Sequence, residues 1–337
     1  MFPYSVFKVM STERLVDGLI FFLASFSALL ISDSVKAQNY PVKPVQVIVG
    51  TAPGGITDVL ARMFGQKLAE RLGQPFVVEN RSGANGNIAA THAAKAAPDG
   101  YTLMIGTIGV MSINPYIYKS VGFNPLRDFT PVAQLVSFSN VLVVNPELPV
   151  NNVQEFIAYV KARPGQLSYS SSGIGGSPHL AMELFTRMAG LEVIHSAYKG
   201  SAPAIMDVIS GQVQFAFADP IVALPLINSE KLRALGVSGT SRIAMAPNIP
   251  TIEQAGFTGY RVDGWLGFVA PVGTPAAIVN LLNAEINRAF SDPVIKGKLL
   301  SLATVPVPGS PSDFGRFIST ENEKWSKLIL EKKIYVD

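Results

Sequence analysis

Apolar and polar positions along the chain switch repeatedly between a short-run and a helical pattern. Val45-Gln-Val-Ile-Val49 is a compact apolar run that reads as a buried strand. Ile56, Val59, Leu60, Met63, Phe64, Leu68 and Leu72 then recur three and four residues apart, the stripe of an amphipathic helix, and Gly73 supplies its stop. Phe76-Val-Val78 predicts a second strand, "NRSGANGN" a polar loop, and residues 88–97 an alanine-rich helix stopped by Pro98-Asp-Gly100. Residues 101–105 predict a third strand that runs out into Gly106-Thr-Ile-Gly109. This β-α-β-α-β order implies a parallel sheet with right-handed crossovers and helices on its faces.

A second cycle starts at residues 141–144. Residues 151–163 predict a helix ended by Pro164-Gly165, and 167–169 a strand leading into the loop "SSSGIGGSPH". A helix over 180–189, a strand over 193–198, a helix over 202–210 and strands over 213–217 and 232–237 complete it. The remainder is different: 260–271 is extended, and 275–290, 294–302 and 311–330 are helical. Three helices cannot form a sheet of their own, so they should return to cover the first unit. The fold class expected is therefore α/β with two lobes around a cleft. Domain 1 is discontinuous, 38–139 plus 263–337, and domain 2 is 140–262. The crossings fall near Ser139-Asn140 and within 260–263.

Composition narrows the class. The chain has 337 residues, 48% hydrophobic and 15% charged, enough for two cored domains. Net charge is +3 with no basic stripe, which argues against a nucleic-acid partner. Residues 1–37 combine Lys8 and Arg14, an apolar run over 18–31 and Val35-Lys-Ala37, the layout of a secretory signal peptide cleaved after Ala37. An uncleaved anchor is the competing reading. With no cysteine, an exported product has no disulfides, no lipid-modified N-terminal cysteine and no thiolate chemistry. The mature product is expected to be soluble outside the cytoplasm.

Chemistry in such sheets sits at the carboxyl ends of strands, where helix N-termini present unpaired N–H groups to an anion. "APGGITD", "SGANGN", "GTIG", "SSSGIGGSPH" and "YKGSAP" all have that character. Two or three main-chain donors to a carboxylate contribute roughly 1.5 to 3 kcal/mol each, enough for micromolar binding without an arginine. Thr57 and Asp58 are residue types that cap helices, which is the plain alternative for both. Six small residues in seven from Ser170 to Gly176, followed by Ser177-Pro178, suit an anion nest. Enzyme signatures are missing: no dinucleotide fingerprint, P-loop or nucleophile elbow occurs. His92, His179 and His195 lack metal-ligand spacing, and nothing in the sequence links Asp58, Asp219 and Asp263 into an acid–base pair.

Taken together, "APGGITDVLARMFGQKLAERLGQPFVVENRSGANGNIAA", "AAPDGYTLMIGT", "AYKGSAPAIMDVISGQVQFAFADP", "ALGVSGTSRIAMAPNIPTIEQAG" and "GWLGFVAPVGTPAAIVNLLNAEINRAF" closely resemble the substrate-binding receptors of tripartite tricarboxylate transporters, the Bug family. The resemblance implies a type II periplasmic-binding-protein fold, a clamshell around a small carboxylate that is handed to a membrane permease. It implies no enzyme activity, no cofactor and no metal. Carried over residue by residue, it implicates Gly54, Gly55, Thr57 and Asp58, with Gly83, Ala84 and Asn85 from the second loop and Thr107 from the third strand. In the other lobe it implicates Ser172, Gly175 and Ser177, then Tyr198, Gly200 and Ser201, and Asp219. Many relatives carry an aromatic residue or proline before the glycine pair where this chain has Gly50-Thr-Ala52, so ligand identity does not transfer. The competing functional reading is a ligand sensor that presents its closed form to a membrane sensor kinase.

Overall fold

The computed structural model describes residues 40–332 and residue 335; the proposed signal peptide lies outside them. Among the described residues no helix is long and apolar enough to cross a membrane.

Strand β1 (Val45–Val49) is followed by helix α1 (Ile56–Leu72), whose Leu60, Phe64 and Leu68 are buried along one stripe. Gly73 ends the helix in the left-handed region at φ 75°, where its N–H reaches the Ala69 carbonyl. Strand β2 (Phe76–Asn80), helix α2 (Asn87–Ala94) and strand β3 (Thr102–Thr107) complete the expected cycle. Strands β2, β1 and β3 are parallel neighbours in that order.

The chain then departs from the pattern read in the sequence. A wide helical turn at Gly109–Ile113 leads into the short helix α3 (Asn114–Ile117). An eleven-residue strand, β4 (Phe129–Ser139), runs antiparallel to β10 (Asp263–Pro271), which in turn lies antiparallel beside β3. With the short β11 (Val305–Pro306), the first sheet has the order β11-β4-β10-β3-β1-β2. Its half that descends from the βαβ cycle is parallel, and its other half is antiparallel.

The second sheet uses β5 (Val141–Val144), β6 (Ser168–Ser171), β7 (Ile194–Ala197), β8 (Phe215–Ala218) and β9 (Arg233–Val237), in the order β7-β6-β8-β5-β9. Helices α4 (Val153–Lys161), α5 (Ser177–Ala189), α6 (Ser201–Ile209) and α7 (Pro220–Asn228) intervene. Asn152 caps α4 by accepting the Glu155 N–H at 2.9 Å. The apolar faces of this sheet close over Phe156, Phe185, Phe215 and Tyr260, all buried.

The last helices, α8 (Ala276–Ala289), α9 (Pro293–Ser301) and α10 (Pro311–Lys332), return to the first sheet. Asn283 on α8 donates to the Val132 carbonyl in β4 at 2.8 Å. Asn322 on α10 donates to the Met111 carbonyl at 2.6 Å.

The two sheets meet where β4 passes into β5 and where the chain re-enters β10. Ser238, fully buried, binds both passages. Its hydroxyl accepts the Asn140 N–H at 2.8 Å and donates to the Val262 carbonyl at 2.5 Å, while its own N–H reaches the Asn140 carbonyl at 2.8 Å. Ser139 and Asp263 pair across the end of the first sheet, and the Ser139 hydroxyl donates to the Asp263 carboxylate at 3.2 Å.

Candidate functional site

A cleft of about 450 Å³ opens between the lobes. The first lobe contributes the segment from Thr51 to Thr57, the Asn85 loop and the exit of β3; the second contributes the starts of α5, α6 and α7. Four helix N-termini, those of α1, α5, α6 and α7, therefore face one space, which favours an anion there.

The two glycines of the first corner do different work. Gly54 has φ 86°, a left-handed turn that a β-carbon would strain. Gly55, the N-cap of α1, has φ −77° and ψ 169°, and a β-carbon built on it meets nothing closer than the Ala52 carbonyl oxygen at 3.9 Å. The backbone at Gly55 would accept a side chain, so the missing β-carbon leaves the cleft open.

Thr57 and Asp58 are not the caps that their residue types suggest, because Gly55 occupies the cap position. Asp58 instead sits one turn in and reaches back: Oδ2 accepts the Gly54 N–H at 3.0 Å and Arg62 Nε at 3.1 Å, while Oδ1 accepts Asn80 Nδ2 at 3.0 Å. Burial pushes its carboxyl pKa up, but hydrogen bonds from Arg62, the Gly54 N–H and Asn80, with the Arg62 charge, outweigh burial and hold it below the usual value. Asp58 thus fixes Gly54 from beneath and lies outside the lining.

Of the residues picked out in the sequence, Gly54, Gly55, Thr57, Asn85 and Thr107 line the cleft from the first lobe. Ser172, Ser177, Gly200, Ser201 and Asp219 line it from the second. Asp58, Gly83, Ala84, Gly175 and Tyr198 do not. Gly83 and Ala84 shape the loop that delivers Asn85: Ala84 and Asn85 both hold positive φ, 45° and 50°, and Asn85 Nδ2 is tied to Asn114 Oδ1 at 3.0 Å. Gly175 is where the lobes touch, since its carbonyl oxygen lies 3.0 Å from the position of a β-carbon on Gly109. The Tyr198 hydroxyl is turned to the Asp207 carboxylate.

Lys199 and Asp219 are the two charged side chains in the lining. Asp219 precedes α7 and receives the Ser201 hydroxyl. Burial raises its pKa, and the Ser201 hydrogen bond offsets part of that rise. The floor is apolar, formed by Phe138, Leu266, Ile56 and Ile108 with Trp265. Sequence reasoning passed over Lys199, though it stands inside "YKGSAP", and over the floor, whose side chains look like ordinary core.

Beneath the second-lobe loop lies a stacked pair, His179 and His195, with ring centroids 4.4 Å apart. His179 Nδ1 accepts the Gly175 N–H at 3.2 Å, and His195 Nε2 is 2.7 Å from the Ser171 hydroxyl. They brace the loop from below. Among the described residues no cluster of His, Cys, Asp or Glu could hold a metal ion. Asp58, Asp219 and Asp263 occupy three separate environments, so they form no acid–base pair.

Two α/β lobes, joined by paired crossings and enclosing a cleft edged with helix N-termini, define a solute-binding receptor. Comparison with known proteins gives the particular kind. The chain belongs to the tripartite tricarboxylate transporter receptor family, whose model matches residues 60–334. It is 34% identical to the BugT protein of Bordetella pertussis over 96% of this chain and 98% of that one. Among solved structures it is similar to Rpa4515 of R. palustris with adipate, at 38% identity and a TM-score of 0.84, over 88% of this chain and 99% of that one. It is similar to the periplasmic binding protein BugD at 30% identity and TM-score 0.82, over 88% and 99% of the two chains. It also resembles MatC of Rhodopseudomonas palustris with bound malate, at 31% identity and TM-score 0.81, over 86% and 100%. The fold is thus that of periplasmic binding proteins of this family, which are solute receptors rather than enzymes.

Proposed function

We propose that this chain is a periplasmic receptor that captures a small carboxylate between its lobes and delivers it to a tripartite membrane permease. The observation that carries the reading is the convergence of the α1, α5, α6 and α7 N-termini on one cleft with an apolar floor. A carboxylate would take the main-chain donor at Gly55 on one side and the Ser172 hydroxyl with the first N–H groups of α5 and α6 on the other, leaving its carbon body against the floor. The adipate and malate held by the related structures support this ligand class. Residues 38–139 with 263–337 would move as one body and 140–262 as the other, turning about the two crossings, and a ligand touching both would shift the balance toward the closed form. Export by cleavage after Ala37 and action as a monomer complete the reading.

A thermal-shift panel of carboxylates, nucleotides and sugars tests it. A carboxylate at 100 times its dissociation constant should add about 2.7 kcal/mol to the unfolding free energy. Stabilisation by a nucleotide or sugar, with none by any carboxylate, would overturn the reading.

A further inference from the structure

Away from the crossings, the lobes meet a second time. In the first sheet β2 stands three strands from β10, and in the second β6 stands two strands from β5. The loops that leave these two strands carry Asn85 and Gly175, and they touch. A β-carbon built on Gly175 would lie 2.7 Å from Asn114 Oδ1, 2.7 Å from Ile117 Cδ1 and 2.9 Å from Asn85 Nδ2, all three in the first lobe. Each distance is shorter than a real β-carbon tolerates, so the second-lobe main chain sits in a socket that admits only glycine. The Gly175 carbonyl oxygen in turn lies 3.0 Å from the position of a β-carbon on Gly109, a second glycine that lets the loops approach.

The bonds that shape each half of this contact lie within its own lobe. Asn114 is wholly buried and holds the socket with both ends of its carboxamide: Oδ1 accepts Asn85 Nδ2 at 3.0 Å, and Nδ2 donates to the Asn85 carbonyl at 3.1 Å and to Asn87 Oδ1 at 2.6 Å. In the second lobe the Gly175 N–H donates to His179 Nδ1 at 3.2 Å, and the Gly173 N–H to the Ser171 hydroxyl at 3.3 Å. Halves that are already ordered lose little entropy when they meet. Strands this far from the crossings also separate on a small rotation of the lobes, so the contact belongs to the closed form. Gly175, Asn114 and Ile117 do not line the cleft, and the contact acts beside a ligand rather than through it.

We propose that Gly175 in its socket is a latch for closure, which makes Gly175, Asn114 and Ile117 positioning residues for ligand capture. This rests on the closing motion described above and adds to it a protein contact that favours the closed form on its own. The ligand then completes a closure already sampled, and its apparent dissociation constant is the intrinsic one divided by the fraction of molecules that the latch holds closed.

The chain has no cysteine, so two can be introduced as label sites. Val77 on β2 and Ile194 on β7 are exposed, and each lies on the edge strand farthest from the crossings. With spin labels on Val77→Cys and Ile194→Cys, the distance between them reports the lobe angle of the intact protein. The ligand-free parent should show a short-distance population that saturating adipate, with malate as second probe, enlarges. Gly175→Ala should reduce that ligand-free population about tenfold and raise the adipate dissociation constant by the same factor. Ile117→Val removes the methyl group that Gly175 meets and leaves every backbone angle alone. It should move both quantities in the same direction by roughly two- to threefold, and it carries the test if alanine at φ 85° keeps Gly175→Ala from folding. A purely structural role would lower the urea midpoint and move neither quantity. Label distances and adipate affinity equal to the parent's in both variants would overturn the latch and leave the receptor reading intact. Fewer short distances in the variants, with no response to adipate or malate in any of the proteins, would uphold the latch and count against the receptor reading.

Discussion

At Gly54 and Gly55 the same residue type answers two different demands, and substitution should separate them. Gly54→Ala forces a β-carbon onto φ 86° and should cost about 1–2 kcal/mol of stability, seen as a lower urea midpoint. Gly55→Val places its β-carbon no closer than 3.9 Å to the Ala52 carbonyl oxygen and has extended backbone that a β-branched residue adopts readily. Its stability should stay within about 0.5 kcal/mol of the parent, while calorimetry should show carboxylate affinity falling tenfold or more, about 1.4 kcal/mol. Equal losses in both quantities would assign Gly55 to the turn alone. Beneath them, Asp58→Ala leaves the Gly54 N–H without its acceptor, removes one of the acceptors of Arg62 and of Asn80, and should cost about 1–3 kcal/mol. The Asp58 carboxyl is held low, so its contribution is complete above the unfolded value near 3.9 and disappears only as pH drops through the lower folded value. The acid limb of the stability curve should flatten in the alanine variant.

At the scale of single elements, the histidine pair under the loop before α5 governs a second pH range. Burial lowers His179 to about 4. Burial also lowers His195 to about 4, helped by the neighbouring His179 and opposed by Glu183. The other groups around the pair are the Tyr169 ring stacked on His195, the Tyr169 hydroxyl on Glu183, and Arg187 beside that carboxylate. Both histidines are neutral in the fold and take up protons more readily when unfolded, so their support is complete above about 6.5 and is lost as pH falls toward 4. A proton on His179 Nδ1 also removes the acceptor for the Gly175 N–H. Melting temperature and carboxylate affinity should therefore decline together between pH 6.5 and 4, and His179→Gln, which offers an uncharged acceptor, should reduce the slope of both. An unchanged slope would mean that the pair is not what titrates. Other elements differ in how far their sequence announces them. The stripe of α1 and the cap glycine after it were plain, whereas β4 was invisible: two irregularities in its pairing with β10 break the two-residue period, and Pro131 sits inside it. Helix α7 was missed for the opposite reason, since Pro220 and Pro225 frame a segment so uniformly apolar that no stripe stands out.

For the whole molecule, the glycine corners announced where a cleft should be, because small residues at strand exits have a local signature. Phe138, Trp265 and Leu266 did not, because a side chain that faces an internal cleft and one that faces the core look alike in a sequence. The lobe junction has a further component that no local pattern displays. Gly239 follows Ser238, and a β-carbon on it would collide with the Ser139 hydroxyl and the Asp263 carboxylate, the pair that ties the ends of β4 and β10 together. If the lobes turn about the 139–140 and 262–263 passages, a methyl group at residue 239, which is not among the residues lining the cleft, acts as a wedge at the pivot. Gly239→Ala should then weaken carboxylate binding several-fold through the closing equilibrium rather than through the site, because a ligand's apparent affinity scales with the fraction of molecules able to close. Small-angle scattering supplies the separate measurement: the radius of gyration should shrink on adding saturating carboxylate in the parent and shrink less in the variant. A variant that compacts like the parent, yet binds more weakly, would move the pivot away from these strands and locate the effect of Gly239 in the site itself.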